Sequence, residues 1–185
     1  MLCNFNFLAL SLTNQILNML FFLNGFMGSG KTHWGKIWAA DYKIGFIDLD
    51  EEIEIVERKS VVDIFESKGE AYFRTREAAV LRDCVTLPTT IVACGGGTPC
   101  FHNNMQWMNE HGISVYFNCN SNEILRRLLK GQQQRPLIKK LNHAELLFFI
   151  EKKLKERETF YNQSNIILNC ADITELTFEE KVLPY

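Results

Sequence analysis

The strongest chemical signal in the chain is a glycine-rich segment that follows a short apolar run. Residues 25–32 read GFMGSGKT and match the pattern GxxxxGK(S/T) at every fixed position. With an apolar run before it and a helix-like pattern after it, this pattern indicates a phosphate-binding loop rather than a turn that merely joins a strand to a helix. Backbone N–H groups of such a loop surround phosphate oxygens, and the following helix N-terminus adds partial positive charge. We therefore predict a nucleotide-binding site at residues 25–32.

Two side chains at the end of this segment have specific expected roles. Lys31 is expected to lie on an exposed loop and to reach the β- and γ-phosphates, and the Thr32 hydroxyl is expected to bind Mg²⁺. GTPases, motor ATPases and small-molecule kinases all share such a loop, so the loop alone does not select among them.

A pair of aspartates follows the second apolar run. Alternation along an extended segment puts Asp48 and Asp50 on the same side, at the carboxyl end of the predicted sheet. Two carboxylates there can divide the work, one near Mg²⁺ and one on an acceptor hydroxyl and its proton. The alternative is that these aspartates cap the helix that begins near Glu51.

An arginine and a run of glycines suggest an acceptor pocket. Arg74 lies on a predicted helix three residues before Glu77, which can hold it. A guanidinium pairs with a carboxylate in a planar, bidentate manner, so Arg74 suits an anionic substrate. The three glycines at 95–97 end a later strand and let a ligand approach the backbone closely.

Further arginines lie toward the end of the chain. Arg135 lies in the polar stretch 131–142, which is predicted to close as a lid over the phosphoryl group, and Arg157 lies on a late helix. The alternative for any one of these arginines is a solvated helix face.

Short apolar strands alternate with helical patterns along the chain. We predict strands at 20–23, 45–48, 90–94, 113–117 and 165–168, and helices at 31–41, 50–58, 61–67, 70–84, 103–110, 121–130 and 142–160. This alternation favours a parallel sheet covered by helices on both faces. Ligands of such sheets bind at the carboxyl ends of the strands, where the phosphate loop, the aspartates and the glycines lie.

Length and composition limit the possible partners. A chain of 185 residues fits one domain with a single core. The net charge of -2, without long blocks of like charge, argues against nucleic-acid binding. Residues 1–30 carry no charged side chain, but they lack the basic start of a secretory signal and polar residues interrupt any membrane span. We predict that residues 1–18 are an extension outside the core and that residues 19–185 form a single domain.

The cysteines show no metal-binding spacing. They are Cys3, Cys84, Cys94, Cys100, Cys119 and Cys170. Their scatter predicts reduced thiols, most of them packed in the core, and a cytoplasmic protein.

The ordered set of motifs resembles the shikimate kinases. The segments are GFMGSGKT, DLD, GEAYFRTRE, GGG, RPL and the arginine of KERETFY, in the family's order from about residue 20 to 169. The resemblance implies a three-layer α/β/α P-loop kinase fold with a five-stranded parallel sheet and a lid. It also implies transfer of the γ-phosphate of ATP to the 3-hydroxyl of shikimate by a monomer that binds neither nucleic acid nor membrane.

The resemblance further implies a role for each site residue. The implied nucleotide contacts are Gly28, Ser29, Gly30, Lys31, Thr32, Arg127 and Arg135. Of these, Arg127 stacks on adenine and Arg135 meets the transferred phosphate. The metal contacts are Thr32 and Asp48. Shikimate contacts fall to Asp50 on its hydroxyls, Arg74 and Arg157 on its carboxylate, Gly95, Gly96 and Gly97, and Phe65 and Phe73 as an apolar wall. Lys31, Asp50 and Arg135 are the implied catalytic residues.

One departure and two alternatives accompany the resemblance. Ala93 and Cys94 stand where family members often carry a Thr or Ser before the glycines. Another small-metabolite or nucleoside-monophosphate kinase would share the phosphate loop, but it would not need two arginines converging on one carboxylate. A non-catalytic nucleotide-binding module would be expected to lack Asp48 or Asp50, and both are present.

Overall fold

The structure is a computed structural model that describes residues 18–130 and 138–185. Residues 1–17 of the predicted extension lie outside the described residues, and so do Arg135 and most of the predicted lid. The division at residue 18 and the lid therefore stay predictions.

A five-stranded parallel sheet forms the centre of the fold, as predicted. Its strands are β1 (Leu20–Asn24), β2 (Gly45–Asp48), β3 (Thr90–Ala93), β4 (Ile113–Asn118) and β5 (Ile166–Asn169). The strand order is β2-β3-β1-β4-β5, and each neighbouring pair is parallel. Every residue of β1 is buried, because this strand is central and covered on both faces.

Six α-helices connect the strands in the described part of the chain. They are α1 (Lys31–Tyr42), α2 (Leu49–Glu57), α3 (Val61–Asp83), α4 (Asn104–His111), α5 (Ser121–Leu129) and α6 (His143–Tyr161). The sequence predicted two helices where α3 is one element, and Gly69 inside α3 has a non-helical backbone with φ 80°. Since glycine adopts positive φ readily, the predicted break is present as a kink rather than a gap.

The apolar core is divided into two clusters by the sheet. Alternate residues of β1 point to opposite faces: Phe21 and Leu23 join one cluster, while Leu20 and Phe22 join the other. Side chains of α1, α5 and α6 complete the first cluster, and those of α2, α3 and α4 complete the second. This arrangement is the predicted three-layer α/β/α fold.

The helix that carries Arg157 begins at a well-defined cap. The Asn142 side chain accepts a hydrogen bond from the Glu145 N–H at 3.0 Å, and the Glu145 carboxylate accepts one from the Asn142 N–H at 2.8 Å. This reciprocal pair satisfies two N–H groups that have no partner within a helix. The start of α6 is therefore set by local sequence.

The prediction of separate, reduced thiols is wrong for one pair of cysteines. Cys119 and Cys170 form a disulfide with their Cα atoms 5.0 Å apart, although they are 51 residues apart in the chain. Asn118 and Asn169 are register partners at the ends of β4 and β5, so the next residue of each strand lies beside the other. Cys84 and Cys94 are free and buried, as predicted.

None of the described helices combines the length and the apolar composition that crossing a bilayer requires.

Candidate active site

The phosphate-binding loop lies between β1 and α1 and depends on glycines. Gly28 has φ 79° and Gly30 has φ 103°, conformations that other residues rarely adopt. No side chain caps the N-terminus of α1, where Gly30 is the N-cap residue. The first N–H groups of a 12-residue helix thus point toward the loop and are available to an anion.

Lys31 lies deeper than expected for an exposed loop residue. It is only 8% exposed, and its Nζ donates to the Gly25 carbonyl at 2.8 Å, the Phe26 carbonyl at 3.0 Å and Ser29 Oγ at 3.4 Å. The expectation of exposure fails because the loop folds around the ammonium group. Burial lowers the pKa of Lys31 to about 8, although the negative charge of Asp50 opposes that shift.

Asp48 caps a helix and also faces the phosphate loop. Its Oδ1 accepts from the Asp50 N–H at 3.2 Å and so caps α2, while its Oδ2 accepts from Thr32 Oγ1 at 2.7 Å. Capping uses one carboxylate oxygen and leaves the other beside the phosphate loop. The cap and the site are therefore compatible functions of one side chain.

Asp50 lies among other acidic groups. Burial raises the pKa of Asp50 to about 6, and repulsion from Asp48 and Glu77 adds to the shift. A Cβ built on Gly95 would lie 2.9 Å from Asp50 Oδ1, which shows how closely the carboxylate approaches the glycines. A carboxyl with a raised pKa in a cleft is suited to receive a proton.

The oxygens of Thr32 and Asp48 fit a magnesium ion that arrives with a nucleotide. Within residues 18–130 and 138–185, no group of three or more His, Cys, Asp and Glu side chains could hold a metal. Mg²⁺ typically binds one or two protein oxygens and completes its shell with phosphates and water. The paired hydroxyl and carboxylate provide donors of that kind, and a cation there would offset the repulsion between Asp48 and Asp50.

A cavity of about 450 Å³ brings most predicted site residues together. Its lining consists of Met27, Gly28, Gly30, Lys31, Thr32, His33, Asp48, Asp50, Cys94, Gly95, Gly96 and Arg127. Cys94 is buried and free, so its thiol occupies the position where a hydroxyl was expected.

Arg74 is fixed beside the glycines by carboxylates. Its Nη1 donates to Glu77 Oε2 at 2.9 Å, and its Nη2 donates to Glu70 Oε1 at 3.1 Å. Glu77 is fully buried, and its other oxygen accepts from Thr98 Oγ1 at 2.6 Å. A Cβ on Gly97 would lie 2.6 Å from Arg74 Nη2, so the guanidinium packs directly against that glycine.

Arg157 reaches the neighbouring glycine from a helix on the other face of the sheet. Its Nη1 donates to the Gly96 carbonyl at 2.9 Å. The two predicted substrate arginines, from α3 and α6, therefore meet at consecutive glycines. Phe65 and Phe73, the predicted apolar wall, have ring centroids 4.6 Å apart, and both rings lie within 6 Å of the Arg74 guanidinium.

Arg127 joins the main cavity to a second one. Its Nη1 donates to the Ser29 carbonyl at 2.7 Å, and its Nε donates to Glu123 Oε1 at 2.7 Å. The second cavity has a volume of about 270 Å³. It is lined by Cys119, Asn120, Glu123, Arg127, Asn169, Cys170 and Ala171.

The sequence analysis missed Tyr161, which supports the glycine run. Tyr161 is fully buried, its hydroxyl donates to the same Gly96 carbonyl as Arg157, and its ring stacks on Tyr116 with centroids 4.9 Å apart. Burial raises the pKa of Tyr161, so the hydroxyl stays a donor. The spacing of four residues after Arg157 on a helix was the signal that could have identified it.

Comparisons with known proteins point to one family. A family model described as shikimate kinase matches residues 27–183. The shikimate kinase of Bacteroides fragilis is 41% identical over 154 residues, which cover 83% of this chain and 86% of the relative.

Two solved structures resemble the fold. The crystal structure of the Bacteroides thetaiotaomicron shikimate kinase has a TM-score of 0.85 at 34% identity, covering 90% of this chain and 99% of that one. An Acinetobacter baumannii shikimate kinase in complex with shikimate has a TM-score of 0.77 at 28% identity, covering 92% of this chain and 99% of that one.

Proposed function

The chain belongs to the shikimate kinase family, and we propose that the phosphate loop and the paired arginines are the two ends of its reaction site. The activity is transfer of the γ-phosphate of ATP to the 3-hydroxyl of shikimate. The observation that carries the proposal is the placement of Arg74 and Arg157 over Gly97 and Gly96, with Asp50 against Gly95 next to the phosphate loop. With its carboxylate bound by the two arginines, shikimate would present its ring hydroxyls to Asp50.

The nucleotide end is assigned to the loop and the second cavity. The N–H groups at the start of α1 and the Lys31 ammonium would bind the phosphates, because both concentrate positive charge at the loop. Arg127 donates to the Ser29 carbonyl and borders the 270 Å³ cavity, which supports a contact between its guanidinium and an adenine bound there. The adenine ring would stack on the guanidinium plane.

Thr32 and Asp48 are proposed to hold Mg²⁺. With the ion bound, the charge that develops on the transferred phosphate is partly neutralised. Thr32 donates to Asp48 at 2.7 Å, so each side chain holds the other in place beside the phosphate loop. Preorganised donors reduce the cost of assembling the site.

Asp50 is proposed to orient the acceptor hydroxyl and to take its proton. With a pKa of about 6 this carboxylate is ionised at neutral pH, and it is a stronger base than an ordinary aspartate, so it accepts the proton of a hydroxyl more readily. Phosphoryl transfer passes through a loose transition state, so positioning and charge contribute more than a strong base. The catalytic role of Arg135 stays a prediction, because it lies outside the described residues.

We further propose that one chain suffices for activity. The described groups assigned to ATP and to shikimate require no residue from a second copy, and the monomeric state stays a prediction. The net charge of -2 argues against nucleic-acid binding, and a cytoplasmic location stays a prediction from the sequence.

The grip on the substrate carboxylate is tested by Arg74→Lys. Lysine keeps the charge but loses the planar fork, so shikimate affinity should fall by roughly 10- to 150-fold, the equivalent of a charged hydrogen bond. ATP affinity should stay within about twofold, since Arg74 is assigned to the other end of the site. Isothermal titration calorimetry with each substrate separately measures both quantities.

Arg76→Lys is the matched control for this variant. Arg76 lies on the same helix and donates to Glu57 Oε1 at 2.6 Å, away from the glycines. Shikimate binding should survive this change. If Arg74→Lys instead weakens ATP and leaves shikimate unaffected, Arg74 belongs to the nucleotide end and the assignment is wrong.

A further inference from the structure

The disulfide Cys119–Cys170 forms part of the wall of the second cavity. Cys119 follows β4 and Cys170 follows β5, so the bond joins the two loops that face each other across this space. Neither cysteine takes part in the proposed phosphate transfer. Their position raises the question of what the bond controls.

We propose that Cys119–Cys170 is a thiol–disulfide modification site whose oxidised state strengthens nucleotide binding. The proposal rests on the assignment of the second cavity to the adenine of ATP. In the oxidised chain the two loops are tied together and the cavity wall is preorganised. In the reduced chain the covalent link is lost, and the pairing of β4 with β5 is what holds the two loops beside each other.

The first support is the contact of both sulfurs with the phosphate loop. The Sγ atoms of Cys119 and Cys170 lie 3.6 and 3.5 Å from the Ser29 carbonyl oxygen. Arg127 Nη1 donates to the same oxygen at 2.7 Å and lies 3.8 Å from Cys119 Sγ. A movement of either sulfur would therefore shift the Ser29 carbonyl of the phosphate loop and the Arg127 side chain, which is the proposed adenine contact.

The second support is the position of the bond at the edge of the sheet. Among the strands that the structure describes, β5 lies at the edge of the sheet and pairs only with β4. The Cys170 N–H donates to the Asn118 carbonyl at 3.0 Å, and the disulfide continues the connection just beyond this hydrogen bond. Loss of the covalent link leaves the 170–173 loop with more freedom, which a bound base would have to restrict.

The third support is access. Cys119 is 3% exposed and Cys170 is 7% exposed, but both line the cavity. A small reductant reaches the sulfurs through the cavity, and a base bound there shields them. Nucleotide binding and reduction thus compete for the same opening.

The chemistry is an exchange with a small dithiol reductant such as dithiothreitol. A reductant thiolate attacks Cys170 Sγ, forms a mixed disulfide and releases the Cys119 thiolate, which takes up a proton. The second reductant thiol then displaces Cys170, so two electrons and two protons reach the chain and the reductant becomes a disulfide. A disulfide oxidant such as glutathione disulfide reverses the exchange.

Calorimetric titration with a non-hydrolysable ATP analogue tests the proposal without requiring turnover. After oxidation with glutathione disulfide, the wild-type chain should bind the analogue roughly 3- to 10-fold more tightly than after reduction with dithiothreitol. Shikimate affinity should be the same in both states. Because a base bound in the cavity shields the sulfurs, saturating analogue should also slow the reduction, measured as the appearance of free thiols, whereas shikimate should not.

Two variants separate this bond from other thiols. Cys119→Ser with Cys170→Ser should show the same analogue affinity under both conditions, while Cys100→Ser, at a free cysteine outside the cavity, should keep the redox response. Peptide mapping without reductant should recover the 119–170 link in the oxidised sample. Equal affinities of the oxidised and reduced wild-type chain, or a missing link, would overturn the proposal, and neither outcome bears on whether shikimate is phosphorylated.

Discussion

Replacing Lys31 with methionine is expected to reduce kcat/KM by at least about 10²- to 10³-fold, the scale of losing one preorganised donor from a charge-stabilising site. Methionine retains an unbranched stem but cannot bind phosphate. The Lys31 ammonium is held by three loop acceptors, which keeps its charge at the point where phosphates are proposed to lie. A coupled assay of ADP release measures the loss.

The stability of this variant should change little, because two effects oppose each other. Removing the buried ammonium relieves the desolvation that lowers its pKa, but it leaves the Gly25 and Phe26 carbonyls without their donor. Lys36→Met is the control, since Lys36 lies on the same helix with its side chain 55% exposed and should retain activity. Near wild-type turnover in Lys31→Met would rule out the proposed phosphate site.

Replacing Asp50 with asparagine is expected to lower kcat by about 10²- to 10⁴-fold, the usual contribution of a positioned proton acceptor. Asparagine has nearly the same shape but cannot take the proton of the acceptor hydroxyl. Steady-state kinetics with varied shikimate should show the loss mainly in kcat, since the carboxylate of the substrate is assigned to the arginines.

The same substitution should stabilise the fold. The pKa of Asp50 rises from 3.8 in the unfolded chain to about 6 in the fold, so the folded state resists ionisation. The resulting penalty is absent below pH 4, grows as the pH rises toward 6 and is fully present above it. Asp50→Asn removes it, so at pH 7.5 the melting midpoint should rise by a few degrees, or on the order of 1 kcal/mol.

Asp41→Asn controls for a general effect of losing one negative charge, because Asp41 is exposed on α1. It should change neither kcat nor the midpoint appreciably. An Asp50→Asn chain with full kcat, or one that melts several degrees lower, would contradict the role and the electrostatics assigned to Asp50.

The fold and the position of the phosphate loop between a strand and a helix could be predicted because their signals are local. The phosphate-loop pattern occupies eight consecutive residues, and the strand-to-helix alternation needs only short windows of sequence. The choice between a helix cap and a site residue at Asp48 could not be made from sequence, since one carboxylate has two oxygens and uses both.

The missed features depend on contacts between distant parts of the chain. Cys119 and Cys170 are 51 residues apart and become neighbours only through the register of β4 and β5. The contact of Tyr161 with Gly96 likewise spans 65 residues and requires α6 to cross the end of the sheet. The burial of Lys31 results from the curvature of the loop around its ammonium group. The sequence pattern predicts a curved loop, but the residue type of a lysine does not indicate that it is buried.

The central claim is that this site phosphorylates shikimate, and an acceptor panel tests it most directly. The purified chain with ATP and Mg²⁺ is assayed for ADP release with shikimate, gluconate or nucleoside monophosphates, and the product is identified by mass and by NMR at the 3-position. We expect ADP release that depends on shikimate, with stoichiometric shikimate 3-phosphate. ADP release that ignores shikimate, or a nucleoside monophosphate as the preferred acceptor, would contradict the claim.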